Sequence, residues 1–315
     1  MRRVCVCLGR ALLVSASALI AAACSIDDTE TPTVLIDAAH NDLIGAVESH
    51  GAWLEEEDFR VRILRKPFDR ESLVGVDVVL TAIPLAPRNF VTRPWTDEKF
   101  AEAWQPPFPS AFSADEIALL HEWVTEGGGL ALVFDHMPVS NAVEDLATAF
   151  GVEVANGHAY DARRLRWEGD RLIRDEAGAA VFRRVDGTLA AHPITDGRSP
   201  AERIDSVALG GGAAFRPPPE GRPLLVLGPT FVSLLPEVPF RFREDTPRQP
   251  IGGWWQGGVL RVGWGRLAVF SDAGFLATHD EVATGPPPWN GWQLQNPQLF
   301  LNTLRWLSGQ IDPDE

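Results

Sequence analysis

The chain has 315 residues, a formal net charge of −15 and three cysteines. A surface this acidic repels phosphate backbones, which argues against a nucleic-acid partner. All three cysteines lie in the first 24 residues, so the remaining chain has no disulfide, thiolate metal site or cysteine nucleophile. About 290 residues follow, enough for one large α/β domain.

The first 23 residues have the three parts of a secretory signal peptide: a basic head, an apolar stretch over 11–20 and three alanines before Cys24. The apolar stretch is too short for a spanning helix. The alanines and Cys24 resemble a lipobox, although Ala21 replaces the usual leucine. We therefore expect Cys24 to carry lipid, palmitate included, and to anchor the protein in the cell envelope, at the outer membrane. The alternative is an ordinary cleaved signal.

A tether over 24–33 is predicted to precede a single domain over 34–309, with a tail over 310–315. Residues 34–37 predict a buried strand with a polar exit, followed by a helix that Gly51 ends. Residues 59–64 and 76–80 predict two further strands. We interpret 86–111, rich in proline, as a long surface excursion.

The clearest local signal comes next, because Ser113 and Glu116 are spaced as a capping box. The triple glycine 127–129 ends that helix, and 130–134 predicts another buried strand. A helix over 142–150 follows, with Asn141 and Glu144 at capping positions.

Short alternating pieces over 152–223 predict a β-rich insertion. A parallel-type strand is expected at 224–227, and 259–262 with 267–270 predict a C-terminal hairpin. The last helix begins at Asn296. Strands alternating with helices indicate an α/β fold with an open, doubly wound, mostly parallel sheet of the flavodoxin-like kind.

In this order, residues 34–41, 76–84, 112–136, 192–195, 265–272 and 296–307 resemble the class I glutamine amidotransferase-like superfamily. Within it, the chain is similar to a bacterial branch related to gliding-motility transporter-associated and trehalose-utilisation-type domains. The resemblance implies an amidotransferase-like fold. Its catalytic members carry a cysteine on a Gly-x-Cys-x-Gly turn. Here the corresponding strand exits into Asp135-His136-Met137, so glutaminase chemistry is excluded.

Ligands in an open α/β sheet bind at the carboxyl ends of the parallel strands. Three of the predicted strands have polar exits there, and these form the candidate ligand site: Asp37, His40, Asn41, Asp135, His136 and Asp272. Carboxylate and imidazole suit a divalent metal or an acid/base pair. The alternative is that each aspartate caps the following turn.

Eleven tryptophans stand against one tyrosine. Four lie in glycine- or proline-rich loops and are candidates for aromatic binding: Trp254, Trp255, Trp289 and Trp292. We expect a lipid-anchored envelope protein whose non-catalytic domain binds a ligand or serves as a scaffold, without a cofactor, beside an envelope protein or glycan. The alternatives are a metal-dependent hydrolase at the strand ends and a glycan-binding protein using the loop tryptophans.

Overall fold

The computed structural model describes residues 31–40, 47–91, 96–169, 171–173, 179–278 and 294–311. Residues 31–315 group as one compact unit. No helix in the described ranges is both long and apolar enough to cross a bilayer.

The helices of these ranges are α1 (Val47–Glu56), α2 (Asp97–Ala103), α3 (Ala114–Thr125), α4 (Val139–Ala149), α5 (Pro193–Asp196) and α6 (Asn296–Leu307), with 3-10 turns at Pro87–Asn89 and Ala273–Leu276. The strands are β1 (Thr33–Asp37), β2 (Arg60–Leu64), β3 (Val78–Ala82), β4 (Gly129–Val133), β5 (Glu153–Ala155), β6 (His158–Asp161), β7 (Arg166–Glu168), β8 (Arg171–Ile173), β9 (Ala180–Arg183), β10 (Ser206–Leu209), β11 (Ala214–Arg216), β12 (Arg222–Val226), β13 (Phe231–Leu234), β14 (Arg248–Pro250), β15 (Trp255–Val262) and β16 (Gly265–Phe270).

A nine-stranded sheet forms the centre of the domain, in the order β2-β1-β3-β4-β16-β15-β11-β5, with β12 also paired to β15. Strands β1 to β4 and β16 are parallel. Strands β5, β11, β12 and β15 join them antiparallel. The predicted fold class, α/β with a large parallel sheet, extra β structure and a C-terminal hairpin, is confirmed.

The sheet is apolar on both faces because helices cover both. All five residues of β1 are buried. Val34 and Ile36 belong to one core with Phe300 of α6. Leu35 belongs to the other core with Leu120 of α3. Continuous apolar strands of this kind are typical of doubly wound sheets.

The capping box predicted for α3 is present. Ser113 Oγ accepts a hydrogen bond from the Glu116 amide at 3.3 Å, and Glu116 Oε2 accepts one from the Ser113 amide at 3.0 Å. Leu120 and Val124 of this helix are fully buried. The N-terminus of α3 is therefore fixed beside the sheet, where Glu116 takes a second role described below.

Three sequence predictions of local structure are wrong. Gly51 lies inside α1 and does not end it, because Leu54 beyond it is fully buried and extends the helix. Helix α4 begins at Val139 with Pro138 at its N-cap and no side-chain cap, so Asn141 and Glu144 are not its caps. The strand predicted to be parallel at 224–227 is antiparallel. It corresponds to β12, which pairs with the first strand of the C-terminal hairpin, β15, and is not linked to a parallel strand by a crossover helix.

In its described parts, 86–91 and 96–111, the proline-rich segment is more regular than the predicted surface excursion. It contains α2, and Trp104 directly after this helix is only 6% exposed. Ala111 donates a backbone hydrogen bond to Ala142 O at 2.8 Å, which ties the end of the segment to α4. The segment thus forms a wall beside the carboxyl end of the sheet.

Candidate functional site

The carboxyl ends of β1, β3, β4 and β16 lie along one edge of the sheet, which we call the carboxyl edge. Asp37 is the last residue of β1, while Asp135 and Asp272 follow β4 and β16 by two residues each. Strands β4 and β16 are neighbours, whereas β3 separates β1 from β4. The predicted polar residues therefore form two groups along this edge.

The first group is a buried chain of three ionisable side chains. His40 Nδ1 lies 2.9 Å from Asp37 Oδ2, and His40 Nε2 lies 3.0 Å from Glu116 Oε1. Thr81 of β3 donates to Asp37 Oδ2 at 2.9 Å. Because a carboxylate only accepts, both imidazole nitrogens donate, and His40 keeps no lone pair for a metal.

Packing and electrostatics hold this group in one state. The His40 ring stacks on Phe68 at 5.5 Å and contacts Phe112 at 4.5 Å. Burial alone lowers the pKa of His40, but the hydrogen bonds and charges of Asp37 and Glu116 outweigh it and raise that pKa above its ordinary value. Burial opposes ionisation of Glu116, yet hydrogen bonds from Ser113 and Phe68 and the charge of His40 lower its pKa. The three side chains therefore link β1, the loop that follows it and α3.

The second group is the pair Asp135 and Asp272. Asp272 is buried, and its carboxylate accepts hydrogen bonds from three backbone amides, Gly210 at 2.9 Å, Gly212 at 2.6 Å and Gly274 at 2.7 Å. Asp135 accepts from the Ala273 amide at 3.0 Å. Each carboxylate therefore fixes loop backbone, as the capping alternative requires.

The charge of Asp135 affects the ionisation of Asp272. Burial and the charge of Asp135 raise the pKa of Asp272 to about 7, against the opposing effect of the glycine amides. Near neutral pH the Asp272 carboxyl is therefore partly protonated.

His136 lies beside this pair and opens onto a cleft. Its Nδ1 donates to Met137 O at 2.7 Å, which leaves Nε2 facing Asp135 Oδ1 at 3.6 Å. The cleft has a volume of about 580 Å³ and lies between the α2 wall and the loop 238–241. Phe100, Trp104, His136, Phe240 and Arg241 line it, and we call it the His136 cleft.

Aromatic rings form the walls of the His136 cleft. His136 stacks on His158 at 4.4 Å, and Phe240 contacts His136 edge-on at 4.7 Å. Trp104 and Phe240 face each other with centroids 6.1 Å apart and planes 23° apart. Phe240 is 37% exposed and has φ of 61°, a left-handed backbone conformation that costs energy for a bulky residue.

Sequence reasoning missed Trp104, His158 and Phe240. They come from the proline-rich segment, from β6 and from the loop between β13 and β14, which are far apart in the chain. No spacing in the sequence links three such segments. The one available signal was aromatic residues among prolines, as in Val238-Pro239-Phe240-Arg241.

The other candidate residues lie elsewhere. Trp254 is half-buried beneath the guanidinium of Arg216, 5.0 Å from its ring centre, and Trp255 packs edge-on against Phe215 at 6.2 Å. Both rings cover the antiparallel part of the sheet. The remaining candidates lie outside the described residues: Cys24, Asn41, Trp289 and Trp292.

Within the described ranges, no three His, Cys, Asp or Glu side chains are grouped so as to hold one metal ion. Asp135 and His136 supply two donors, and His40 is engaged by carboxylates on both sides. The metal-dependent hydrolase stays a prediction. Metal analysis of the purified protein with and without Asp135→Ala is the measurement that tests it.

No family model matches the sequence, and a search of curated proteins finds no match. Solved structures do match. The mmIFT52 N-terminal domain is 14% identical, with a TM-score of 0.54 over 88% of this chain and 97% of that chain. At this identity the similarity shows the fold alone.

Two further matches concern the predicted superfamily. A putative GMP synthase protein from Thermoplasma acidophilum is 10% identical, with a TM-score of 0.41 over 89% of this chain and 95% of that chain. A putative ThuA-like protein from Parabacteroides merdae is 12% identical, with a TM-score of 0.39 over 90% of this chain and 92% of that chain. Amidotransferase-like proteins are thus among the structural neighbours, at low identity.

Proposed function

We propose that the chain is a lipid-anchored cell-envelope protein whose amidotransferase-like domain binds a ligand in the His136 cleft and carries out no thiol chemistry. The observation that supports this most strongly is the position of the cleft. It opens at the carboxyl end of β4, where open α/β sheets bind ligands, and its volume is in the range of small-molecule sites.

The surroundings of the cleft favour binding over catalysis. No cysteine follows Cys24 in the sequence. Asp272 is engaged by three backbone amides and Asp135 by the Ala273 amide, so these carboxylates fix loops next to the cleft. A rigid wall loses little entropy when a ligand binds, which raises affinity.

The chemistry of the walls favours a saccharide. Phe240 offers a partly exposed apolar face, backed by the buried Trp104 ring, and sugar rings stack on such faces. Arg241 is an exposed hydrogen-bond donor at the rim of the cleft. A ligand with a flat apolar face and several oxygen acceptors would use all of these groups.

Calorimetric titration of the full chain in detergent tests this proposal. The probes are N-acetylglucosamine oligomers and soluble peptidoglycan fragments, as saccharides of the cell envelope. We expect saturable binding by the wild type and at least tenfold weaker binding by Phe240→Ala. Trp264→Ala is the control, since it removes an exposed aromatic side chain outside the cleft and should bind normally. Absence of binding by every probe, or equal binding by Phe240→Ala, would contradict the proposal.

The lipid anchor has its own test. Cells that express the protein are labelled with radioactive palmitate. Label should enter the wild type and Cys7→Ser, whose change lies inside the proposed signal peptide, and it should be absent from Cys24→Ser. Equal labelling of Cys24→Ser would refute the anchor.

A further inference from the structure

Few large apolar side chains are strongly exposed in the described part of the chain. Trp264 and Val185 are each 86% exposed, and Val74 is 70% exposed. Trp264 forms the tip of the hairpin between β15 and β16, and Val74 lies in the turn that leads into β3. Exposed apolar groups that share one surface mark a site of interaction.

Trp264 lies at the edge of the sheet opposite the carboxyl edge, whereas Val74 lies beside β2, where its carbonyl accepts a hydrogen bond from Arg62 Nη1 at 2.8 Å. Parallel strands begin at this amino edge, where Asp77 accepts a hydrogen bond from the Thr33 amide at 2.7 Å. Trp264 immediately precedes β16 and donates its amide to Thr125 O at 2.9 Å. A depression of about 400 Å³ lies here between Trp123 and Trp264. We call Trp123 and Trp264 the amino-edge patch.

The path of the chain identifies what covers this patch. The chain enters the domain at the amino edge, because β1 begins there at Thr33. Roughly seven residues join Cys24 to Thr31, a reach of at most about 25 Å. Strands β1 and β16 are three positions apart in the sheet, or about 15 Å. A lipid on Cys24 would therefore hold the bilayer within reach of Trp264.

We propose that the amino-edge patch rests on the phospholipid headgroup layer, with Trp264 inserted at the interface. This inference depends on the lipid anchor proposed above. Tryptophan is enriched at membrane interfaces because its ring is apolar and its N–H finds partners among the headgroups. Asp77, Glu126 and Arg266 line the same depression, and the chain is acidic overall. The surface therefore fits zwitterionic headgroups, which carry both charges, better than anionic ones.

The arrangement also orients the domain. The His136 cleft is at the carboxyl edge and the amino-edge patch is at the other end of the same strands. With the patch on the bilayer, the cleft faces away from the membrane and stays open to ligands.

Quenching by brominated lipid tests the contact. The lipidated full chain is reconstituted into phosphatidylcholine vesicles with and without acyl-chain bromine, and flotation measures how much protein is bound. We expect bromine to quench part of the tryptophan fluorescence of the wild type, and Trp264→Phe to lose most of that quenching. Trp167→Phe is the control: it changes a half-buried tryptophan of β7 and should keep the quenching.

The outcomes separate the two proposals. Protein that floats with the vesicles but is quenched equally in wild type and Trp264→Phe overturns the membrane contact and leaves the anchor standing. Protein that does not float overturns both. A concentration-dependent dimer that disappears in Trp264→Phe, without quenching by lipid, would assign the patch to a second copy of the chain and overturn the inference.

Discussion

Among single residues, the buried chain Asp37–His40–Glu116 shows how a cluster that suggests chemistry can be structural. An imidazolium between two carboxylates is stable in a protein interior only when every donor and acceptor is paired. Here both ring nitrogens are paired, and Thr81 and the Phe68 amide donate to the same two oxygens that His40 contacts, Asp37 Oδ2 and Glu116 Oε1. The result joins β1, β3 and α3.

Replacing His40 by alanine should therefore destabilise the domain strongly. Two buried carboxylates would lose their shared partner, which costs about 3–5 kcal/mol of unfolding free energy. Urea unfolding at pH 6 measures this. His121→Ala is the control. His121 lies on the same helix as Glu116, and its ring is half-buried against Phe150, so its removal should lower the unfolding free energy far less. A cost below about 1 kcal/mol for His40→Ala would contradict the structural role.

The pair Asp135 and Asp272 should make stability depend on pH. The unfolded Asp272 carboxyl has an ordinary pKa of about 3.9, and the folded pKa is raised to about 7. The folded state thus holds the proton more tightly. The stability it contributes is complete below pH 4 and is lost as pH rises toward 7, by up to about 1.4 kcal/mol per pH unit.

Asp135→Asn should reduce this loss, because it removes the neighbouring charge that raises the pKa of Asp272. Burial lowers the pKa of His192 to about 4, so this residue makes the unfolding free energy rise with pH below pH 6.5. The effect is the same in wild type and variant, so the difference in unfolding free energy between them isolates Asp272. We expect this difference in unfolding free energy to favour the variant increasingly from pH 5 to 8. Asp245→Asn, in an exposed turn, should give a constant difference, and a constant difference for Asp135→Asn would contradict the coupling.

Among the helices and strands, α1 shows that a glycine in the sequence does not always mark the end of a helix. Gly51 is buried within α1, and a Cβ placed there would lie 3.6 Å from Val61 Cγ1, an ordinary contact. Gly51→Ala should therefore stabilise the domain by about 0.5–1 kcal/mol, because alanine loses less backbone entropy in a helix. Thermal unfolding measures the change.

Gly129→Ala is the contrasting variant. At the first residue of β4 a Cβ would lie 2.7 Å from Leu307 O, a backbone atom that cannot move aside easily. We expect a clear loss of stability there. If Gly51→Ala were also destabilising, the helix would be better described as ending at Gly51.

The sequence was sufficient for the parallel half of the sheet. Buried runs such as 34–37 and 130–134, the Ser113 capping box and the Asn296 start of α6 are local signals, and each was predicted correctly. The direction of β12 was not predicted correctly, because it depends on the strand with which β12 pairs. The site divides in the same way: Asp135 and His136 follow from a strand exit, whereas Trp104 and Phe240 meet them only through tertiary packing.

For the molecule as a whole, the cysteine content makes a simple prediction. If Cys24 is acylated, the mature protein has no free thiol. Iodoacetamide should therefore leave the mass of the unfolded, membrane-extracted protein unchanged. The same protein from cells unable to acylate the cysteine should gain at least one adduct, at Cys24, and alkylation of the membrane-extracted form would contradict acylation of the thiol.

The order of the central sheet has a consequence for how the chain matures. Strand β16 lies between β4 and β15, yet it is made after the other eight described strands of this sheet. Until residues 265–270 leave the ribosome, the inner side of β4 is an open edge that other chains can pair with. A product that stops before Gly265 would therefore lack the middle of its sheet and not merely one side of it, and should require a holding chaperone or be degraded.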